Sequence, residues 1–306
     1  MFTPRRPLGR TGFVATQLGV GDLADRNIPF DTCVATARRA LDAGLNVIDT
    51  APNYEDGYSE EIVGAAVRGR RDGVFVITKI DHHDQPVGLQ AEGSLSRLGL
   101  GHVDLLVFHD LSDAATFDRL SHPGGGFDQL ADAVRAGVSR YRGISSHNPD
   151  VLLKALEAGA CDVVMFPLGP FVDERYVTEV LPRTKAAGVG TVCFKTFGGG
   201  KLLGDTTGYN QPLKPRPRGK VSSGGADDGK NVLPRLSVAE CLHYTLTLDP
   251  DVALLGLSYP NEQDAAFVAA RSFRPLSHAE MADVRRRAAE ARRRKGPCWW
   301  NPDPDA

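Results

Sequence analysis

Long apolar runs are missing from this 306-residue chain. No stretch is long enough to span a bilayer, and no charged segment followed by an apolar one opens it at Met1. Neither a membrane span nor a secretory leader is therefore expected, and the cytoplasm is the expected compartment. Cysteine is scarce. The five residues (Cys33, Cys161, Cys193, Cys241, Cys298) are widely spaced and include no C-x-x-C pair, which argues against a disulfide framework or a zinc site. Net charge is nearly absent as well. A formal charge of −2 gives no electrostatic reason to expect nucleic acid or an anionic membrane as a partner. The Arg-rich stretch 285–295 is the local exception, and its alternation with Ala and Glu reads as a solvated helix face. His82-His83-Asp84 reads as an exposed loop rather than a metal pair, so no metal is expected.

What is present is an ordinary globular composition, with 42% hydrophobic and 24% charged residues, arranged in a rhythm. Short apolar runs fall at 15–20, 45–48, 74–78, 103–108, 141–145, 163–166, 190–194 and 252–255. Several are apolar on both faces, as strands of a covered parallel sheet are. A helix-period segment follows most of them, and the spacing suits one βα unit of about 30 residues. Helix boundary signals support this reading. Asp31 is placed to cap a helix over 32–43, Ser59 precedes one over 60–67, and Pro86 opens one that stops at Gly99. Ser277 and Glu280 form a capping-box pattern ahead of the Arg-rich segment. Eight strands alternating with helices predict a (β/α)8 TIM barrel formed as a single domain over 1–306. Residues 6–19 predict a short N-terminal hairpin capping one end. Residues 204–233 are rich in Gly, Pro, Lys and Asp without period, and predict a long loop after the seventh barrel strand, either a lid or a mobile insertion. Residues 297–306, with Trp299 and Trp300, form a C-terminal tail.

In such a barrel, active sites lie at the C-terminal ends of the strands. Asp49 follows the second run, Tyr54 lies five residues into the next loop, and Lys79 and His109 follow the third and fourth runs. Each alone reads most simply as structural, but together they make a site. A nearby ammonium favours phenolate, so Lys79 can tune Tyr54 for proton transfer. Asp49 would hold Lys79 charged, and His109 can hydrogen-bond a substrate oxygen and orient it toward the phenol. Such a set donates a proton to a carbonyl oxygen, or removes one from an alcohol. It contains no hydride and no nucleophile, so a redox cofactor must supply the hydride.

These residues resemble the aldo-keto reductase family over essentially the whole chain. The similarity is carried by N-V-I-D-T-A-P-N-Y over 46–54, S-E-E-I-V-G over 59–64, Thr78-Lys79, V-D-L-L-V-F-H over 103–109 and R-G-I-S-S-H over 142–147. The resemblance implies a (β/α)8 barrel that reduces an aldehyde, ketone or sugar carbonyl with NADPH, or runs the reverse reaction. Asp49, Tyr54, Lys79 and His109 match the family's tetrad, and Tyr54 would be the general acid. It further implies that Gly21 and Asp22 lie beside the ribose or the substrate. Ser145 would hold the nicotinamide carboxamide, and Phe194 would stack on its ring. The run Lys195, Thr196, Phe197, Gly198, Gly199, Gly200, Lys201, Leu202 would clasp the pyrophosphate, and the segment from Gly256 through Ser258 to Glu262 would meet the adenine end.

Several positions depart from the family pattern. Ser146 stands where many members have Asn, Met165 where many have Gln, and Glu262 where several have an Arg for the 2′-phosphate. Lys214, Arg216, Arg218 and Lys220 in the long loop could compensate for Glu262. NADP is the expected cofactor, with NAD the alternative. The expected partner is a small carbonyl or alcohol, and the sequence leaves oligomeric state open. The competing function is a cofactor-binding regulatory or sensor protein with the reductase fold and little turnover.

Overall fold

The computed structural model describes residues 4–21, 25–203, 235–257 and 259–293. The long loop 204–233, the tail 297–306, Asp22 and Ser258 lie outside the described residues. A two-stranded antiparallel hairpin comes first, β1 (Arg5–Pro7) with β2 (Val14–Thr16), Arg6 opposite Ala15. The barrel strands are β3 (Leu18–Gly21), β4 (Val47–Asp49), β5 (Phe75–Ile80), β6 (Val103–Phe108), β7 (Ser139–Ser145), β8 (Val163–Pro167), β9 (Gly190–Phe194) and β10 (Val252–Gly256). They pair in parallel in chain order, and β10 closes on β3. This is the (β/α)8 barrel expected from the sequence. The run 15–20 is not one strand, however. It breaks at Gln17, with the hairpin before it and the first barrel strand after it.

The outer layer is α1 (Phe30–Asp42), α2 (Tyr58–Val67), α3 (Val87–Leu98), α4 (Ala114–Leu120), α5 (Gly126–Arg135), α6 (Pro149–Glu157), α7 (Leu181–Ala187), α8 (Val238–Thr247), α9 (Pro260–Arg271) and α10 (His278–Arg292). Pro86 and the left-handed Gly99 bound α3, and Ser277 with Glu280 makes the capping box of α10, both as expected. Two caps differ. The helix α1 begins at Phe30 after Pro29, so Asp31 lies in its first turn beside the exposed N–H groups rather than capping them. The helix α2 begins at Tyr58 after Gly57. Ser59 lies inside it, where its oxygen accepts from the Thr50 hydroxyl at 2.8 Å.

Strand period 2 sorts each apolar run between two cores. Val76, Ile80, Leu106 and Phe108 face the helices. Val47, Phe75, Ile77, Leu105, Val107, Val163, Met165, Val192 and Leu254 fill the barrel interior. The hairpin seals the N-terminal end of the strands. The Gly9 amide donates to Asp251 at 3.1 Å, the Tyr141 hydroxyl donates to the Thr11 carbonyl, and the Phe13 ring lies 5.0 Å from that of Phe75. One end is therefore closed by the chain itself, and the opposite rim is where side chains at strand ends converge.

Candidate active site

The inward alternation continues past the last apolar layer. Val47 is followed inward by Asp49, Phe75 and Ile77 by Lys79, and Leu105 and Val107 by His109. Asp49 and Lys79 are thus the last inward positions of β4 and β5, not residues beyond those strands. Lys79 is 2% exposed and Asp49 3%. The Lys79 ammonium donates to both Asp49 oxygens at 2.8 Å and to the Thr50 carbonyl at 2.7 Å. Burial acts to lower the Lys79 pKa, but the negative charge of Asp49, then the neighbouring Tyr54 oxygen, outweighs it and holds the pKa above the usual lysine value. Gly21 leaves the space for this pair, since a Cβ there would lie 3.2 Å from the Asp49 Cβ and Oδ2.

Tyr54 enters from the loop after β4. Its ring centroid lies 4.5 Å from the Lys79 ammonium, and its plane meets the His109 ring edge-on at 5.6 Å. The four residues singled out in the sequence therefore meet. Immediately after Tyr54, Glu55, Asp56 and Gly57 all take left-handed backbone angles (φ 53°, 52° and 85°). For the two non-glycine residues this is a strained arrangement that surrounding contacts must hold. Arg26 supplies one such contact, donating to the Glu55 carbonyl through Nε at 3.1 Å and Nη2 at 2.6 Å.

Sequence reasoning missed Asp81, one inward step beyond Lys79. Its Oδ1 meets His109 Nδ1 at 2.5 Å, and its Oδ2 accepts the Asn53 amide at 2.8 Å. The same period that places Lys79 could have found it. Burial lowers the His109 pKa; the Asp81 hydrogen bond opposes that shift without reversing it.

Of the residues expected around a nicotinamide cofactor, Ser145, Ser146, Met165 and Phe194 lie in or next to β7, β8 and β9. Ser145 pairs with Met165 across β7 and β8, and its hydroxyl oxygen accepts the Asp110 amide at 3.1 Å, which leaves its proton to donate. Met165 is buried in the barrel interior. Ser146 turns into its own loop, accepting from the Asn148 amide at 3.1 Å and donating to the Asn148 carbonyl at 3.3 Å. Phe194 ends β9 half-buried, with the His147 ring 5.2 Å away. Burial first, then the charges of Lys195 and His109, lower His147 to a pKa of about 3.

After β9, Lys195 (φ 71°) and the run Gly198, Gly199, Gly200 (φ 55°, 61° and 88°) turn the chain sharply into Leu202, with Phe197 packed below. The Thr196 hydroxyl is 1% exposed and has no hydrogen-bond partner among the described residues. Gly256 is open, with nothing near the position of a Cβ. Beside it, Tyr259 donates its hydroxyl to Asp25 at 2.8 Å, and buried Glu262 accepts the Tyr259 amide at 3.3 Å. Glu262 thus caps the start of α9.

Among the described residues no cluster of three His, Cys, Asp or Glu side chains could hold a metal ion. No helix there is long and apolar enough to cross a membrane. His83 is occupied structurally, with Nε2 2.9 Å from the His109 carbonyl oxygen and its ring edge-on to Phe108 at 5.6 Å.

The family model described as "Aldo/keto reductase family" matches residues 16–285. Over 204 residues, 61% of this chain, the sequence is 28% identical to an L-galactose dehydrogenase of Arabidopsis thaliana, and it spans 63% of that relative's length. It is also 28% identical over 283 residues to a probable voltage-gated potassium channel subunit beta of Oryza sativa subsp. japonica, covering 82% of this chain and 79% of that one. A crystal structure of an aldo-keto reductase from Klebsiella pneumoniae in complex with NADPH superposes with a TM-score of 0.69 at 21% identity, over 94% of this chain and 95% of that chain.

Proposed function

The chain belongs to the aldo/keto reductase family, and on that premise we propose that it is an NADP(H)-dependent oxidoreductase interconverting a small carbonyl compound and its alcohol. The observation that carries this reading is the Lys79 ammonium, bound to both oxygens of Asp49 and lying 4.5 Å from the Tyr54 ring centroid. In the reduction, Tyr54 gives its hydroxyl proton to the carbonyl oxygen, and the positive charge of Lys79 stabilises the phenolate that remains. Asp49 keeps Lys79 charged in a site where burial alone would favour the neutral amine. In the reverse direction the phenolate takes the alcohol proton.

The residues present fit a nicotinamide dinucleotide. A buried Thr196 hydroxyl with no partner among the described residues, beside a turn of three left-handed glycines, suits an anionic, oxygen-rich group approached by backbone. Thr196, Lys195, Phe197, Gly198, Gly200 and Leu202 would form the pyrophosphate cradle. Ser145 would donate to the carboxamide, Phe194 would cover the nicotinamide face, and Gly21 would lie beside the ribose or the substrate. Gly256, Ser258 and Glu262 would border the adenine end, while Ser146 and Met165 would contribute packing rather than hydrogen bonds. When bound, the cofactor supplies the hydride. The Klebsiella pneumoniae neighbour was solved with NADPH, which is the basis for naming NADP, with NAD the alternative.

Titration of the purified protein with NADPH and NADH, followed by fluorescence, tests cofactor use; binding of neither refutes the proposal. Tyr54→Phe is expected to keep cofactor affinity and lose turnover by roughly 10²–10⁴-fold on a carbonyl panel. The similarity to a channel β subunit favours a second reading, a cofactor-binding regulatory protein. Tight NADPH binding without turnover of any carbonyl or alcohol would select it.

A further inference from the structure

Tyr54 differs from the other three residues of the site in how it is carried. Asp49 and Lys79 lie in β4 and β5, and His109 directly follows β6. Tyr54 stands in the turn between β4 and α2, so its phenol is only as well placed as that turn. Before Tyr54, the Asn53 amide is fixed on Asp81 at 2.8 Å. After it, Glu55, Asp56 and Gly57 are all left-handed, a backbone that two non-glycine residues keep only where surrounding contacts hold it. Two arginines from different elements meet this turn. Arg97 of α3 lies against Gly57, where a Cβ would come within 2.5 Å of the Arg97 Cδ. Its Nε is bonded to Glu60, which is wholly buried and accepts the Thr78 hydroxyl at 2.6 Å. That contact ties the turn to β5 from within the protein.

Arg26 approaches from the loop after β3, with half of its side chain exposed. Its Nε and Nη2 both donate to the Glu55 carbonyl, at 3.1 and 2.6 Å, an oxygen that also accepts the Tyr58 amide at 3.1 Å. The guanidinium lies 5.1 Å from the Tyr58 ring centroid. The residue before it is anchored elsewhere. Asp25 accepts the Tyr259 hydroxyl at 2.8 Å and the Asn27 amide at 2.9 Å, so the arginine reaches the turn from a base tied to the start of α9. We propose that Arg26 is a positioning residue: by holding the Glu55 carbonyl it keeps the left-handed turn that sets the Tyr54 phenol beside Lys79, and it acts on proton transfer through Tyr54. The rate half of this rests on the oxidoreductase reading; the placement half stands on the turn alone. Without the fork, Glu55 and Asp56 relax toward ordinary backbone angles and carry Tyr54 with them. A misplacement of about 1 Å costs on the order of a hundredfold in rate. Stability changes little, because the relief of backbone strain offsets the lost hydrogen bonds. The Arg26 charge, 3.9 Å from Glu55 Oε2 at a half-exposed position, adds little to it.

Two measurements separate the halves. Arg26→Met keeps the apolar stem over Tyr58 and removes every donor, whereas Arg26→Lys keeps the charge but not the fork. Carbon spectra of the unliganded full chain, labelled with ¹³C at the tyrosine Cζ and assigned with Tyr54→Phe, read the surroundings of the phenol. In Arg26→Met the Tyr54 signal is expected to broaden or to move toward the position of an exposed tyrosine. An unchanged signal overturns the proposal without reference to activity. In steady-state kinetics with NADPH and a carbonyl panel, Arg26→Met is expected to lower kcat and kcat/KM together by on the order of tenfold to a hundredfold. NADPH affinity and the thermal midpoint are expected to stay near wild type, and Arg26→Lys to recover part of the lost rate. A raised KM with kcat unchanged makes Arg26 a substrate contact and overturns the positioning role. Loss of NADPH affinity, or a midpoint lowered enough to account for the lost turnover, makes it a general structural residue and overturns that role too. Absence of turnover in wild type with every carbonyl tested refutes the oxidoreductase reading and the rate half with it, while the Tyr54 signal still decides the placement half.

Discussion

Lys79 and Asp49 form a pair in which one ammonium serves both oxygens of one carboxylate, each at 2.8 Å, with both side chains almost wholly removed from solvent. The third ammonium proton goes to the Thr50 carbonyl at 2.7 Å. The ammonium is thus met by several oxygens, the condition under which a buried ion pair is tolerated. Its position at the inward ends of adjacent strands means that the barrel wall, not a loop, sets its geometry.

Breaking this pair from one side leaves a buried charge. Asp49→Leu or Lys79→Met alone is expected to lower stability by about 3–5 kcal/mol in urea unfolding. The double variant is expected to recover most of that loss, because no charge is then stranded, while turnover stays abolished. A double variant no more stable than the singles would contradict the pairing.

Acid sensitivity is expected from His147. Its folded pKa of about 3 lies below the ordinary value of 6.5, so between these pH values the unfolded chain binds a proton that the folded chain does not. Its contribution to stability is complete above pH 6.5 and is lost as pH falls toward 3. Urea midpoints measured downward from neutrality are expected to drop less steeply in His147→Gln than in wild type. Equal slopes would show that His147 does not titrate on unfolding in this way.

Thr196→Val separates fold from cofactor. The hydroxyl has no partner among the described residues, so its removal is expected to leave the unliganded protein as stable as wild type or slightly more so. If that hydroxyl receives the cofactor's phosphate, NADPH affinity falls by about tenfold, the worth of one hydrogen bond to a charged group. Calorimetric titration beside thermal unfolding reads both, and unchanged affinity would remove Thr196 from the cradle.

Much of this was legible in the chain because it depends on local spacing. Eight apolar runs separated by helix-period segments specify a barrel, and the positions of Asp49, Tyr54, Lys79 and His109 relative to those runs specify one rim. What escaped depended on which way a side chain turns. Asp81 was not singled out, although strand alternation carries it inward beside His109. Nor does spacing tell that the Ser146 hydroxyl is bonded within the Asn148 turn. The run 15–20 looked continuous because hydropathy does not register that residues through Thr16 pair with the N-terminal segment and those from Leu18 with the barrel.

The sequence by itself determined the order of strands and helices, the inward period of two, and the residue types brought to the rim, since these follow from patterns a few residues long. Only the tertiary structure decided the partners: Lys79 with Asp49 across thirty residues, and Asp81 bridging His109 and Asn53. Those contacts join segments far apart in the chain, and their hydrogen-bond geometry is set by barrel register and loop closure, which no local pattern encodes.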